Sequence, residues 1–278
     1  MKKRGTVLVT DGVHPLLLEG FQKAGFDYDY RPKINLEDTR AIIQDYEGII
    51  INSKIWIDKS FLDKAIKLQF IGRLGSGMEI VDQEYAKKKG VIVKSAPEGN
   101  RNAVGEHAIG MLLALANKTL VGDRRVRQKH WNREENRGFE LMEKTVGIIG
   151  FGHTGNNFAK KLAGFNVKVL AYDKYKTYFA EGSNYIRATS LDEIFEKADI
   201  VSLHLPLNDE THYMFDKKFI QQFKKEIILI NTSRGKVVNT RDVIDGLKSK
   251  KLKGACMDVF ENEKPNTFSE EEHRMYDE

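Results

Sequence analysis

Four short stretches of this chain carry groups that could handle a phosphorylated cofactor and a small anionic substrate. The most informative is Gly150-Phe151-Gly152-His153-Thr154-Gly155, which fits G-x-G-x-x-G. It follows the apolar, β-branched run Val146, Ile148 and Ile149. It precedes Phe158, Leu162 and Phe165 at near-helical spacing. Strand, glycine turn and helix therefore stand in the order a dinucleotide site needs. Gly150 would permit the tight turn, Gly152 the close approach of backbone to pyrophosphate, and Gly155 the packing of helix on strand. The helix start adds N–H groups and a partial positive charge for the phosphates. A lone glycine turn is a weak signal, since other α/β proteins have one. Here a second strand, Val167 to Tyr172, follows and ends in Asp173, 18 residues past Gly155. That is close to the spacing of a carboxylate that grips ribose hydroxyls.

The other three stretches also follow predicted strands, where open α/β sheets bind ligands. Gly75-Ser76-Gly77 offers successive N–H groups and a hydroxyl, a possible anion nest or a plain tight turn. Asn231-Thr232-Ser233-Arg234-Gly235 puts a guanidinium at a strand end. There it could hold a carboxylate in a two-pronged fork and polarise a carbonyl. Asp258, with Glu261 and Glu263 after it, could orient a catalytic base, although Glu261 reads better as a surface acid. The one cysteine, Cys256, lies in an apolar run with no histidine beside it and reads as a buried structural thiol.

The elements that must position these groups alternate. Strands are predicted at Thr6–Thr10, Tyr28–Tyr30, Gly48–Ile51, Phe70–Arg73 and Val91–Val93. Helices lie between them at His14–Ala24, Leu36–Ile43, Phe61–Ala65 and Val81–Lys89. A long apolar helix spans Asn102–Thr119 and could bridge two domains. Leu120–Gly138 reads as a polar connector or a subunit-contact arm. Beyond the glycine turn come strands at Ile200–Pro206, Ile227–Asn231 and Ala255–Val259, with helices at Lys218–Phe223 and Val243–Leu247. Glu261–Glu278 shows no finished element. This is the α/β class with parallel doubly wound sheets. Two domains are expected, residues 1–98 and 99–278.

Composition narrows the function classes. The 278 residues are 41% hydrophobic and 31% charged, with a net charge of +5. Lys and Arg are scattered, and the densest run, Lys248–Lys253, reads as a solvated helix end, so no nucleic-acid partner is expected. A single cysteine rules out a disulfide framework and suits a reducing, cytoplasmic setting. No window has the roughly 18 apolar residues of a membrane span, and Met1-Lys2-Lys3-Arg4 is not followed by the apolar region of a secretory leader. No metal site is expected.

Together these residues resemble the D-isomer-specific 2-hydroxyacid dehydrogenase family. The resemblance runs the whole length, through Arg73–Asp82, Ala96–Asn100, Gly105–Ala108, the glycine turn with Asp173, His204-Leu205-Pro206-Leu207, Asn231–Gly235 and Met257–Phe260. It implies a flavodoxin-like substrate domain and an NAD-binding Rossmann domain with a cleft between them. Arg234 would bind substrate and act in catalysis, and Glu263, 29 residues on, would be the catalytic glutamate. Gly75, Ser76 and Gly77 would hold the substrate carboxylate, with Ser53 and Asn100 also touching substrate. Gly150, Gly152, His153, Thr154 and Gly155 would line the pyrophosphate and Asp173 the adenosine ribose. Leu205 and Pro206 would also contact the cofactor, with Thr232 and Asp258 near the nicotinamide. Asp173 favours NAD over NADP, with Lys174 and Lys176 as the counterweight. A homodimer through the cofactor domain is implied, with Asn102–Gly138 as its contact.

The family's catalytic histidine, in a Thr-Pro-His-like motif, has no counterpart here. Neither His204 nor His273 fits the role. The simplest expectation is a chain shorter than the family's usual length, its substrate domain without the usual C-terminal helices and its NAD-binding domain without its last part, binding NAD but turning over poorly. Phosphoglycerate is one possible substrate. Lys54 could meet its phosphate, but Asn52 replaces the family's arginine in that stretch. Hydroxypyruvate or glyoxylate reduction, and a non-catalytic NAD-binding scaffold, are the alternatives.

Overall fold

The computed structural model describes residues 5–176 and 183–277. Met1 to Arg4, considered above as a leader, lie outside the described residues. The chain divides into two compact units, Met1–Asn100 and Arg101–Glu278.

In the first unit, strands and helices alternate: β1 (Thr6–Val9), α1 (Pro15–Ala24), β2 (Asp27–Tyr30), α2 (Leu36–Ile42), β3 (Gly48–Ile51), α3 (Lys59–Lys64), β4 (Phe70–Arg73), α4 (Gln83–Lys88) and β5 (Ile92–Ser95). All pairings are parallel and the order is β2-β1-β3-β4-β5, the flavodoxin-like arrangement. The side chains of β3 divide between the two faces of the sheet. Ile49 and Ile51 pack with Ile43, Phe61 and Leu62, while Ile50 packs with Val7 and Val9.

The second unit opens with two helices, α5 (Arg101–Ala116) and α6 (Thr119–Arg127). It continues as β6 (Thr145–Ile149), α7 (His153–Lys161), β7 (Lys168–Tyr172), β8 (Ile186–Ala188), α8 (Leu191–Lys197) and β9 (Ile200–Leu203). Then come α9 (Lys217–Gln222), β10 (Ile227–Asn231), α10 (Thr240–Lys248), β11 (Leu252–Met257) and α11 (Glu270–Asp277). The six strands are parallel in the order β11-β10-β9-β6-β7-β8. Counted from β6, that is the 3-2-1-4-5-6 order of dinucleotide-binding sheets, read from its other edge. Strand β10 is buried throughout. Ile228 and Ile230 face a core shared with α5 and α7, and Ile227 and Leu229 face the opposite one.

Three segments differ from expectation. The polar stretch after Leu120 is helical as far as Arg127, supported by an Asp123–Arg127 ion pair one turn apart at 2.8 Å. Lys118, at φ +51°, breaks it from α5. Near the end of the chain, α11 forms where no element was expected. Ser269 and Glu272 cap it reciprocally, the Ser269 N–H donating to the Glu272 carboxylate at 2.7 Å and the Glu272 N–H to the Ser269 hydroxyl at 3.2 Å. The β8–α8 pair, of 3 and 7 residues, is too short to show a clear period in the sequence. The described residues include no helix long and apolar enough to cross a membrane.

Candidate active site

The glycine turn lies where the second sheet changes direction. Strand β6 pairs with β7 on one side and β9 on the other, so crossovers leave in opposite directions and open a crevice at the carboxyl ends. Gly150 has φ +90°, and a Cβ there would overlap the carbonyl oxygen of His204, the residue after β9. A Cβ on Gly155 would overlap the carbonyl oxygen of Gly150, so α7 starts hard against the turn. Gly152 meets nothing on its open side. These are the tight turn, the close packing and the open approach that the motif predicts.

The helix start, like that of α6, lacks the side-chain cap that six other helices carry. Helices α2, α3, α4, α8, α9 and α10 are each capped by an Asn, Asp or Ser side chain on the third residue's N–H. Helix α7 has Gly152 at the cap, no side-chain cap and no acid in its first turn. The turn therefore keeps room and positive potential for an anion, which fits a dinucleotide pyrophosphate. His153 is exposed and Thr154 half-buried at that start. Asp173 follows β7 and is brought to the same turn. Its carboxylate accepts the N–H groups of Phe151 at 2.9 Å and Tyr175 at 3.0 Å. The Leu205 side chain lies against Gly150, while Pro206 is exposed and its carbonyl accepts the Thr211 hydroxyl at 2.7 Å.

Two strands over, the loop after β10 is built around a residue that sequence reasoning passed by. Asn231 is fully buried. Its side-chain oxygen accepts the Ser233 N–H (3.1 Å) and hydroxyl (2.7 Å), and its side-chain N–H donates to the Arg234 carbonyl (3.1 Å). The turn holds Arg234 half-buried and extended, with one guanidinium N–H donating to the Ser233 carbonyl at 2.7 Å. A Cβ on Gly235 would overlap the carbonyl oxygen of Phe260, so the loops after β10 and β11 press together. Asp258, Glu261 and Glu263 all lie on that second loop.

Glu261 is not the surface acid expected. It is half-buried, accepting the Thr240 N–H and the Tyr213 hydroxyl, each at 2.6 Å, and so pins the loop to the start of α10. Glu263 is exposed, five residues after Asp258. Asp258 meets His107 of α5, carboxylate oxygen to Nε2 at 2.9 Å. The 151-residue separation of that pair left no local signal, although His107 stands in the Gly105–Ala108 stretch. The Thr232 hydroxyl is buried with no hydrogen-bond partner among the described residues, which suits a polar group arriving with a ligand.

The remaining candidates lie on the first unit or outside any site. Neither Gly75 nor Gly77 has a positive φ, so the backbone lacks the alternating handedness of a nest. The Arg73 guanidinium instead lies 2.5 Å from where a Gly75 Cβ would stand. Ser53, Ser76 and Asn100 are at least partly exposed. Lys54 donates to the Pro32 carbonyl at 2.7 Å and stands 3.7 Å from Asp11. His204 is buried, its Nε2 2.9 Å from the Ser202 hydroxyl, and burial pushes its pKa down to about 3. It stays neutral at working pH. Burial likewise pushes the Cys256 thiol up to about 11, so it stays protonated.

Comparison with known proteins agrees with this geometry. Residues 109–276 match the model of the D-isomer specific 2-hydroxyacid dehydrogenase NAD-binding domain. The D-3-phosphoglycerate dehydrogenase of Archaeoglobus fulgidus is 30% identical over 260 residues, 94% of this chain and 49% of its own. The chain thus spans about half the length of the curated relatives it matches. Among solved structures, the D-lactate dehydrogenase of Aquifex aeolicus complexed with NAD and lactic acid superimposes with a TM-score of 0.81 at 27% identity, covering 98% of this chain and 84% of its own. The NAD-dependent formate dehydrogenase of Staphylococcus aureus in complex with NAD gives 0.76 at 28% identity, over 97% and 85%.

Proposed function

The chain belongs to the D-isomer-specific 2-hydroxyacid dehydrogenase family, and from that membership we propose that it is an NAD-dependent oxidoreductase acting on the CH–OH group of a D-2-hydroxy acid, in the direction of 2-keto acid reduction. The observation that carries this most is the uncapped glycine turn at the sheet's switch point, with Asp173 beside it and Arg234 at the carboxyl end of β10.

When bound as NADH, the cofactor supplies the hydride. Gly150, Gly152, His153, Thr154 and Gly155 would hold its pyrophosphate, Asp173 the adenosine ribose and Leu205 with Pro206 the neighbouring surface. Thr232 and Asp258 would orient its nicotinamide end. Arg234 would grip the substrate carboxylate and draw charge from the C2 carbonyl. Gly75, Ser76, Gly77, Ser53 and Asn100 belong to the substrate side of the proposal. Glu263 would act on the proton-transfer partner.

That partner is the weak point of the chemistry. His204 is buried and neutral and so fits no proton-transfer role. A well-placed histidine typically contributes about 10²- to 10⁴-fold in rate.

Substrate identity extends the proposal. Phosphoglycerate is favoured by the relatives' names and weakened by Asn52 and by the Lys54 contacts to Pro32 and Asp11. Hydroxypyruvate and glyoxylate are the close rivals. The test is NADH oxidation by the purified chain with a panel of 2-keto acids, run beside Arg234→Ala. Slow turnover that Arg234→Ala reduces at least tenfold supports the proposal. NADH binding with no Arg234-dependent oxidation on any 2-keto acid leaves the second reading, a non-catalytic NAD-binding protein.

A further inference from the structure

Asp173 is followed by two cations, Lys174 and Lys176, and cations at this position are what NADP-binding sites use to receive a 2′-phosphate. Their side chains decide whether the sequence favours NAD or NADP, and both are engaged elsewhere. Lys176 donates to the Phe151 carbonyl at 3.1 Å, inside the glycine turn. Lys174 reaches across to the loop after β9, where its Nζ stands 2.7 Å from a carboxylate oxygen of Glu210. The other oxygen of Glu210 accepts the Tyr175 hydroxyl at 2.7 Å, and the Lys174 ammonium lies 5.7 Å from the Tyr175 ring centroid. One acid thus holds both residues that follow Asp173.

We propose that Glu210 is a specificity-determining residue. By pairing Lys174 and adding a second carboxylate near the ribose-binding edge, it makes the site reject a 2′-phosphate and select NAD over NADP. The proposal rests on the cofactor reading above.

The charges at this edge are informative. Asp173 with Lys174 and Lys176 alone would sum to +1, a site that tolerates a phosphate. Glu210 brings the sum to zero and takes up the Lys174 ammonium. The hydrogen bond from Lys174 holds the Glu210 carboxyl below its ordinary range, and the same bond raises the lysine, so both stay charged at neutral pH. The pair is half-exposed, at 55% and 50% of side-chain surface, so its hold is modest and its effect is graded. Neither Glu210 nor Lys174 needs to touch the pyrophosphate or the nicotinamide to act this way. Sequence reasoning could weigh the two lysines against Asp173 but could not see the acid that faces Lys174 and Tyr175, 35 residues beyond the tyrosine.

The test is the dissociation constant of NADH and of NADPH, by calorimetry, for wild type, Glu210→Gln and the double variant Glu210→Gln/Lys174→Ala. Wild type should prefer NADH. Glu210→Gln should tighten NADPH by about three- to tenfold while moving NADH less than about twofold, and the double variant should lose that gain. An unchanged NADPH-to-NADH ratio in Glu210→Gln, or a gain that survives removal of Lys174, overturns the proposal and leaves NAD binding intact. A wild-type chain that binds neither dinucleotide overturns the cofactor reading and this proposal together.

Discussion

Gly235 is the residue on which the proposed reactive end of the site depends most directly. A methyl group there would overlap the Phe260 carbonyl oxygen, backbone against backbone, with no flexible side chain to move aside. Gly235→Ala is expected to destabilise the chain by about 3 kcal/mol or more and to weaken any Arg234-dependent binding of a 2-keto acid. Urea unfolding and a titration of oxamate into the NADH complex check the two parts. His204 supplies a second expectation. Its pKa is near 6.5 in an unfolded chain and about 3 in the folded one, because burial disfavours the charged ring. Below pH 6.5 the unfolded chain takes up a proton that the folded chain refuses. The His204 contribution is therefore complete above pH 6.5 and is lost progressively as pH falls toward 3. At pH 5 the loss is about 2 kcal/mol. Unfolding midpoints at pH 5 and pH 7.5 should differ in that direction, and His204→Gln should narrow the difference.

At the scale of elements, the glycine turn and the strands before it were legible because their signals are local. Val146, Ile148 and Ile149 with three spaced glycines describe a buried strand and a tight turn without help from elsewhere. The misreadings have equally specific causes. Helix α6 is polar on most of its surface and has no strong apolar stripe, so composition suggested a connector. Helix α11 carries its Ser269–Glu272 capping box in plain sight, but the acidic run behind it obscured the signal. Glu261 illustrates the limit of reading one element at a time. Nothing nearby in sequence says that its carboxylate receives the Thr240 N–H and the Tyr213 hydroxyl. Replacing it with alanine leaves a helix start and a half-buried phenol without their acceptor, at a cost of about 1–3 kcal/mol. Thermal unfolding of Glu261→Ala should show the loss. Glu261→Gln keeps one oxygen to accept the Thr240 N–H and turns its amide N–H toward the Tyr213 oxygen, so it should recover part of it.

For the whole molecule, the second unit holds a six-stranded parallel sheet with its own two cores. Helix α5 belongs to it. A Cβ on Gly105 would approach the α7 backbone at 3.2 Å, and Ala108, Leu112 and Ala116 are buried in the core shared with α7. Residues 101–278 are therefore expected to fold alone and to bind NADH within about threefold of the full chain; a fragment that fails to fold would contradict this. The family resemblance implies a homodimer through this unit, with Asn102–Gly138 as its contact. Leu120, Val126 and Trp131 are exposed in and after α6, Trp131 at 84%. If they form the contact, Trp131→Glu should shift the chain from dimer to monomer in light scattering without lowering its unfolding temperature.

The α/β class, the glycine turn, the acid after β7 and the arginine after β10 are legible in the chain alone, because each is written within a few consecutive residues. What those residues face is set by the tertiary fold. It set Asn231 behind Arg234, Phe260 against Gly235, His107 beside Asp258 and Glu210 on Lys174. The physical reason is common to the last three. A parallel sheet joins strands through crossovers and collects their carboxyl ends at one edge, so partners that meet there can be far apart in the chain. Their hydrogen bonds and close approaches depend on register and packing, which no local spacing records.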